Sequence, residues 1–165
     1  MPKHQASRPI KPNEFILITG CSSGIGLATA CLLHEQGYRV IASCRHAKDL
    51  PRIAAYGFFH CLALDLADSR CIEQAWKTLM NLTDNRLFAL FNNGAFGLPG
   101  ALEDISREAL EYQFNTNVFG THQLTQLAVK HMLEQGYGRI LHNSYVRSDT
   151  AMILRGSYNA IKFAL

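Results

Sequence analysis

The sequence predicts an α/β fold in which a doubly wound parallel sheet is covered by helices on both faces. Short apolar segments rich in β-branched and aromatic residues alternate with segments of helical periodicity along most of the chain. These apolar segments are continuous rather than alternating, which is typical of parallel strands buried on both faces. With 165 residues, the chain is long enough for one domain with a sizeable core, expected at residues 15–165 after a flexible tail of residues 1–14.

Five strands and the helices between them are expected in order along the chain. Helical spacing is clearest where Ile72, Ala75, Trp76 and Leu79 fall at i, i+3, i+4 and i+7. The expected strands are residues 15–19, 39–44, 58–64, 87–92 and 138–144, and the expected helices are residues 24–36, 47–55, 69–82 and about 106–134.

Composition and charge exclude several classes of protein. The chain has 16 Lys and Arg residues against 13 Asp and Glu residues, a formal net charge of +3, so we expect no nucleic-acid groove. No apolar run approaches the roughly 20 residues that a membrane span needs, and no signal-peptide pattern is present, which predicts a cytoplasmic protein. The five cysteines form no C-x-x-C pair and the seven histidines show no metal-binding spacing. We therefore expect reduced thiols, no disulfide framework and no metal.

A glycine-rich turn follows the first expected strand. Glycines let a backbone approach a pyrophosphate closely, and the N-terminus of a helix offers unpaired N–H groups and the positive end of its dipole. Taken alone, the turn is either a nucleotide-binding loop or a tight connection between a strand and a helix. Its sequence is Thr19-Gly20-Cys21-Ser22-Ser23-Gly24-Ile25-Gly26.

Four further elements lie where the carboxyl ends of parallel strands would bring them together. In isolation each has a structural alternative: a carboxylate that initiates a helix, asparagines in a turn, or an exposed pair of polar side chains. The elements are Asp65 after the third strand, Asn92, Asn93 and Gly94 after the fourth, Asn117 on the long helix, and Tyr158 and Lys162 at i and i+4.

In this order, the TGxxxGxG, NNxG-like, NxxG and YxxxK motifs resemble those of the main branch of the short-chain dehydrogenase/reductase family. The resemblance covers residues 15–165 and implies a Rossmann-like fold that transfers hydride between a nicotinamide coenzyme and a carbonyl or secondary alcohol. It also implies that Tyr158 is the acid/base, that Lys162 holds the nicotinamide ribose, and that Asn117 positions a water. The implied coenzyme contacts are Gly20, Ser22, Ser23, Gly24, Ile25, Gly26, Arg45, Asp65, Leu66, Asn92, Asn93, Gly94, Tyr158 and Lys162.

The acid/base role has a physical basis in the spacing of the tyrosine and the lysine. A tyrosine hydroxyl ordinarily has a pKa of about 10, which is too high for a base near neutral pH. A lysine ammonium one helical turn away and the positive charge of an oxidised nicotinamide both favour the tyrosinate.

The end of the second strand predicts the choice of coenzyme. Relatives that prefer NAD usually hold an acidic residue there for the ribose 2′-hydroxyl, whereas this chain has Cys44 and then Arg45, which can pair with a 2′-phosphate. The sequence therefore predicts NADP(H). The alternative is that Arg45 starts a solvated loop, and the glycine loop has Ser23 where some NADP-dependent relatives carry a basic residue.

The chain departs from the family pattern at two places. The residue thirteen positions before Tyr158, where typical members have a substrate-binding serine, is Tyr145, and the donor that replaces the serine is either the hydroxyl of the neighbouring Ser144 or the phenol of Tyr145 itself. Family members also continue well past the YxxxK helix, whereas this sequence stops at Leu165. The resemblance therefore implies a sheet without its last strands, a fifth strand left as an exposed apolar edge, and doubt about the homo-oligomer that full-length relatives form.

Two functional hypotheses follow from these features. The first is an NADP(H)-dependent oxidoreductase acting on a small-molecule carbonyl or alcohol. The second is a catalytically inactive remnant or fragment that still binds the nucleotide. A methyltransferase with a similar fold is disfavoured because it would leave Tyr158 and Lys162 without a role.

Overall fold

A computed structural model describes residue 11, residues 13–144 and residues 154–164 of the chain. Its five strands form one sheet in the order β3-β2-β1-β4-β5, and every neighbouring pair is parallel. The chain therefore builds outward from β1 to β3 and then crosses to β4 on the other side, which opens a crevice at the carboxyl ends of β1 and β4. The strands are β1 (Phe15–Ile18), β2 (Arg39–Cys44), β3 (His60–Ala63), β4 (Ala89–Asn92) and β5 (Arg139–His142).

Six α-helices connect or follow these strands in the described residues. Short 3₁₀ turns at Ala47–Asp49 and Leu102–Asp104 precede the second and fourth helices. The helices are α1 (Gly24–Glu35), α2 (Leu50–Ala54), α3 (Ser69–Leu82), α4 (Arg107–Phe114), α5 (Thr121–Gln135) and α6 (Gly156–Ala164).

Helices cover both faces of the sheet, which confirms the doubly wound arrangement. Leu17 and Leu90 belong to a core layer beneath α3 and α5, whereas Ile16 and Ile18 belong to a layer beneath α1 and α2. Successive side chains of a strand point to opposite faces, so a continuous apolar strand supplies both layers.

Several expected element bounds differ from the observed ones. The helix expected at about 106–134 is interrupted by a π-helical segment at Asn115–Gly120, where a Cβ on Gly120 would overlap the Leu66 carbonyl. The loop after β3 thus approaches the helix backbone directly, and a π-helical segment is a common form of such an interruption. Strands β3 and β4 begin later than the apolar segments that contain them, because Phe58 and Leu87 are buried by packing before the first paired residue, whereas β2 has the expected bounds.

The fifth strand forms an exposed edge, as expected. Leu141 is 51% exposed, and β5 pairs only with β4 among the described strands. All five cysteines are free, with Cys21 and Cys44 buried. Within the described part of the chain, no helix has the length and apolar character required to cross a membrane.

Candidate functional site

A cavity of about 410 Å³ lies at the carboxyl ends of the central strands. It is lined by parts of the glycine loop, the loops after β2, β3, β4 and β5, and helix α6, so it occupies the crevice that the strand order creates. The sequence-predicted site residues that line it are Gly20, Ser22, Ser23, Ile25, Arg45, Asp65, Leu66, Asn93, Gly94, Tyr158 and Lys162.

The glycine loop and the loop after β4 are hydrogen-bonded to each other. The Thr19 hydroxyl accepts from the backbone N–H groups of Asn93 and Gly94 at 2.9 and 2.7 Å. The Asn93 amide in turn donates to the Thr19 and Gly20 carbonyls at 3.0 and 3.3 Å. Gly20 has φ +71°, and a Cβ there would lie 2.7 Å from the Gly94 Cα, so only glycine permits this close approach.

The N-terminus of α1 opens beside the cavity with its backbone donors uncapped. Ser23 is the N-cap residue, but its side chain makes no capping hydrogen bond, and no acidic residue lies in the first turn. A Cβ on Gly26 would lie 2.5 Å from the Gly20 carbonyl oxygen, which keeps the helix start close under the loop. Free N–H groups and the positive helix end suit the pyrophosphate of a dinucleotide. Gly24 and Gly26 shape this turn without lining the cavity.

Charged side chains gather where β2 and β3 end. Arg45 and Asp49 both line the cavity, and the Arg45 guanidinium donates to His46 Nε2 at 3.0 Å and to the Tyr112 hydroxyl at 3.4 Å. The opposite charges of Arg45 and Asp49 can together bind a polar group that carries both hydrogen-bond donors and acceptors.

Asp65 lies in the turn after β3 and does not initiate the next helix. Its Oδ1 accepts from the Ala67 N–H at 2.9 Å, whereas the N-cap of α3 is Asp68, which accepts from Arg70 and Cys71. The structural alternative for Asp65 is therefore wrong. Asp65 and Leu66 both line the cavity.

Helix α6 brings Tyr158 and Lys162 to the opposite end of the cavity. The Lys162 ammonium lies 5.7 Å from the centre of the Tyr158 ring and donates to the Asn143 carbonyl at 2.9 Å. Lys162 is buried, and desolvation lowers its pKa from the ordinary value of 10.5. The pair is therefore a partly desolvated phenol and amine, which suits proton transfer and contradicts the alternative of an exposed pair.

Three of the sequence-predicted residues have side chains that do not line the cavity. The Asn92 amide donates to the Thr125 hydroxyl at 2.9 Å and lies 3.4 Å from His142 Nδ1, so it ties β4 to its neighbours. The Asn92 side chain therefore supports the sheet, and its coenzyme contact stays a prediction. Ser144 is exposed beside β5 and does not line the cavity, and Tyr145 lies outside the described residues.

Asn117 is the third of these residues, and its side chain holds a wall of the cavity in place. It is buried in the π-helical segment, where Oδ1 accepts from the Phe96 N–H at 3.0 Å and Nδ2 donates to the Phe96 carbonyl at 2.7 Å. Phe96 itself lines the cavity. The Asn117 side chain thus supports the loop after β4.

Sequence reasoning missed several lining residues. The most informative is Asn143, whose amide donates to Asn93 Oδ1 at 2.9 Å while its carbonyl accepts from Lys162. This residue links Lys162 to the loop after β4, and its position near the end of the fifth expected strand was the only sequence signal for it. The others include Asp49, Phe96 and Thr116.

Known proteins resemble the chain in sequence and in fold. The family model described as short chain dehydrogenase matches residues 14–165. The uncharacterized oxidoreductase YbbO of Escherichia coli (strain K12) is 45% identical over 150 residues, which cover 91% of this chain and 55% of that protein. Retinol dehydrogenase 5 of Homo sapiens is 35% identical over 158 residues, which cover 93% of this chain and 49% of that protein.

Solved structures agree with the sequence comparison. A variant of actinorhodin polyketide ketoreductase with NADPH has a TM-score of 0.84 at 26% identity, covering 92% of this chain and 60% of that one. A short-chain dehydrogenase from Streptomyces avermitilis has a TM-score of 0.85 at 27% identity, covering 100% of this chain and 58% of that one. The chain spans about half the length of the curated relatives it matches. The chain belongs to the short-chain dehydrogenase family of oxidoreductases.

Proposed function

We propose that the chain binds NADP(H) in this cavity and that Tyr158 exchanges a proton with a carbonyl or secondary alcohol during hydride transfer. The observation that carries the proposal is that one cavity is lined both by the glycine loop and Arg45 and by Tyr158 and Lys162 of α6. A dinucleotide needs both a phosphate-binding end and a reactive end within one continuous site.

The residues at the loop end fit the coenzyme. The uncapped N-terminus of α1 binds the pyrophosphate, and Arg45 pairs with the 2′-phosphate. The Asp65 carboxylate accepts from the adenine amino group. A related ketoreductase structure that contains NADPH supports the same choice of coenzyme.

At the reactive end, the protein handles the proton. When bound, the nicotinamide supplies or accepts the hydride. Tyr158 donates the proton from its hydroxyl to the carbonyl oxygen in the reducing direction and accepts it in the oxidising direction. Lys162 favours the ionised phenol, because an ammonium within one helical turn stabilises the negative charge that develops on the tyrosine oxygen. The Asn143 carbonyl fixes the ammonium in that position.

The catalytic assignment is tested by the loss of NADPH absorbance in the presence of a panel of aldehydes and ketones. We expect Tyr158→Phe to lower the rate by about 100-fold or more while it leaves NADPH affinity nearly unchanged. Tyr56→Phe is the matched control, because Tyr56 is exposed and does not line the cavity. A Tyr158→Phe rate equal to that of the wild type would contradict the assignment.

A second candidate is a nucleotide-binding protein without catalytic turnover. It is favoured by the position of Ser144, whose side chain does not line the cavity in which a substrate oxygen would need a donor. Loss of one such donor costs about two to three powers of ten in rate in other enzymes. NADPH binding without consumption for any carbonyl in the panel, in the wild type and in Tyr158→Phe alike, would select this candidate.

We further propose that the protein acts in the cytoplasm as a reduced enzyme. All five cysteines are free, which suits a reducing compartment. Finding the protein in an oxidising compartment by cell fractionation would contradict this location.

A further inference from the structure

A second arginine lies against the glycine loop. Arg52, on α2, donates from Nη2 to the Ser22 carbonyl at 2.6 Å. Ser22 and Ser23 both line the cavity, so this contact places a positive charge at the edge of the loop. A guanidinium carries five N–H donors, and the Ser22 contact uses one of them.

The charge of Arg52 also reaches the end of β2. Burial raises the pKa of the Cys44 thiol, the Asp49 carboxylate raises it further, and the Arg52 guanidinium lowers it. Cys44 immediately precedes Arg45. Arg52 is therefore held at the glycine loop by its hydrogen bond, and its charge is felt at the end of β2.

The charges around this mouth show why a second arginine matters. Arg45, Asp49 and Asp65 all line the cavity, so two carboxylates outweigh one guanidinium for an incoming anion. The glycine loop itself contributes only serines at Ser22 and Ser23. With Arg52 the charges of these four side chains balance, and the two arginines lie on two different elements, the loop after β2 and helix α2.

We propose that Arg52 is a second determinant of specificity for a 2′-phosphorylated coenzyme. Its guanidinium donates to the 2′-phosphate from the side of the glycine loop, while Arg45 donates from the end of β2. Arg52 thereby takes the place of a basic residue within the loop. The inference rests on the proposed NADP(H) function and deepens it.

The test compares the dissociation constants of NADPH and NADH for the 165-residue chain and its variants, measured by coenzyme fluorescence. Arg52→Gln is expected to raise the constant for NADPH about tenfold and to change that for NADH by less than twofold, because NADH lacks the 2′-phosphate. Lys48→Gln is the matched control, since Lys48 is an exposed cation in the 3₁₀ turn just before α2 and, unlike Arg52, has no described hydrogen bond to the glycine loop. We expect it to change neither constant by more than about twofold.

A conservative variant separates the charge from the contact with the loop. Arg52→Lys keeps the positive charge but lacks the planar fork of donors, so its preference for NADPH should lie between those of the wild type and Arg52→Gln. Because Arg52 is exposed, both variants are expected to keep the urea midpoint of the wild type.

Each contrary outcome points to a different failure. Equal weakening of NADPH and NADH in Arg52→Gln would mean that Arg52 only braces the glycine loop, and an unchanged NADPH constant would remove it from the site. An equal loss of NADPH affinity in Lys48→Gln would indicate that the effect comes from the general electrostatic field of the loop and not from a contact made by Arg52. Any of these results overturns the inference while leaving NADP(H) binding intact, whereas a wild-type chain that binds neither coenzyme overturns the proposed function itself.

Discussion

Residues that follow the central strand β1 and the edge strand β5 line the same cavity, but the two strands are buried to different extents. All four residues of β1 are at most 4% exposed, with helices packed on both faces. In β5, by contrast, Leu141 is 51% exposed and His142 is also exposed. The glycine loop therefore rests on a closed core, whereas Tyr158 lies at the margin of the described fold.

Helix α6 is held at that margin by a small set of contacts. Ile161 is fully buried, the Ser157 hydroxyl donates to the Leu98 carbonyl at 3.1 Å, and Lys162 donates to the Asn143 carbonyl. Short helices are marginal unless they are packed. Changes at this end should therefore alter the reactive geometry while the sheet remains folded.

Truncation of one leucine in each strand tests the comparison most strongly. Leu17→Ala in β1 should lower the free energy of unfolding by about 3 kcal/mol, because it opens a cavity in a closed core. Leu141→Ala in β5 should cost less than about 1 kcal/mol, since the side chain is already half in water. Urea unfolding measures both values, and equal losses would show that the two ends are supported alike.

Two glycines of the same loop give the next largest contrast. Gly26→Ala should cost about 2 to 3 kcal/mol, because its Cβ would overlap the Asn93 amide and the Gly20 carbonyl. Gly24→Ala should cost about 1 kcal/mol, since Gly24 has φ +60° but no neighbouring atom within 4 Å of the added carbon. Thermal or urea unfolding distinguishes them. A Gly24 variant as unstable as the Gly26 variant would mean that backbone conformation rather than crowding dominates the loop.

The smallest expected effect is the pH dependence that Lys162 confers on stability. Burial lowers the pKa of Lys162 below the ordinary 10.5, so between these two values the unfolded chain binds more protons than the folded one. The wild type should therefore gain stability relative to Lys162→Met as the pH rises from neutral toward 10.5. Urea unfolding of both proteins at neutral and alkaline pH gives the difference. A difference that is constant or that falls with pH would contradict desolvation of the amine.

The fold was predictable from the sequence because local patterns determine it. Continuous apolar strands, glycine turns and helical spacing are set by neighbouring residues, and the observed strand order follows the expected α/β arrangement. The π-helical interruption at Asn115–Gly120 was not predictable, because it depends on the close approach of Gly120 to Leu66, far away along the chain.

The site was predictable at the level of motifs but not of side-chain direction. Asn92 and Asn117 belong to the expected motifs, yet each is turned toward a partner distant in sequence, Thr125 in one case and Phe96 in the other. Arg52 carried no motif at all, and its place at the glycine loop follows only from how α2 packs.

The central claim is that one coenzyme spans both ends of the cavity, and hydrogen exchange with and without NADPH tests it most directly. In the free chain, amides of β1 should exchange much more slowly than those of β5 and α6. Addition of NADPH should slow exchange both in the glycine loop, residues 20–26, and in α6, residues 156–164. Protection confined to one of these segments, or absent from both, would contradict the claim.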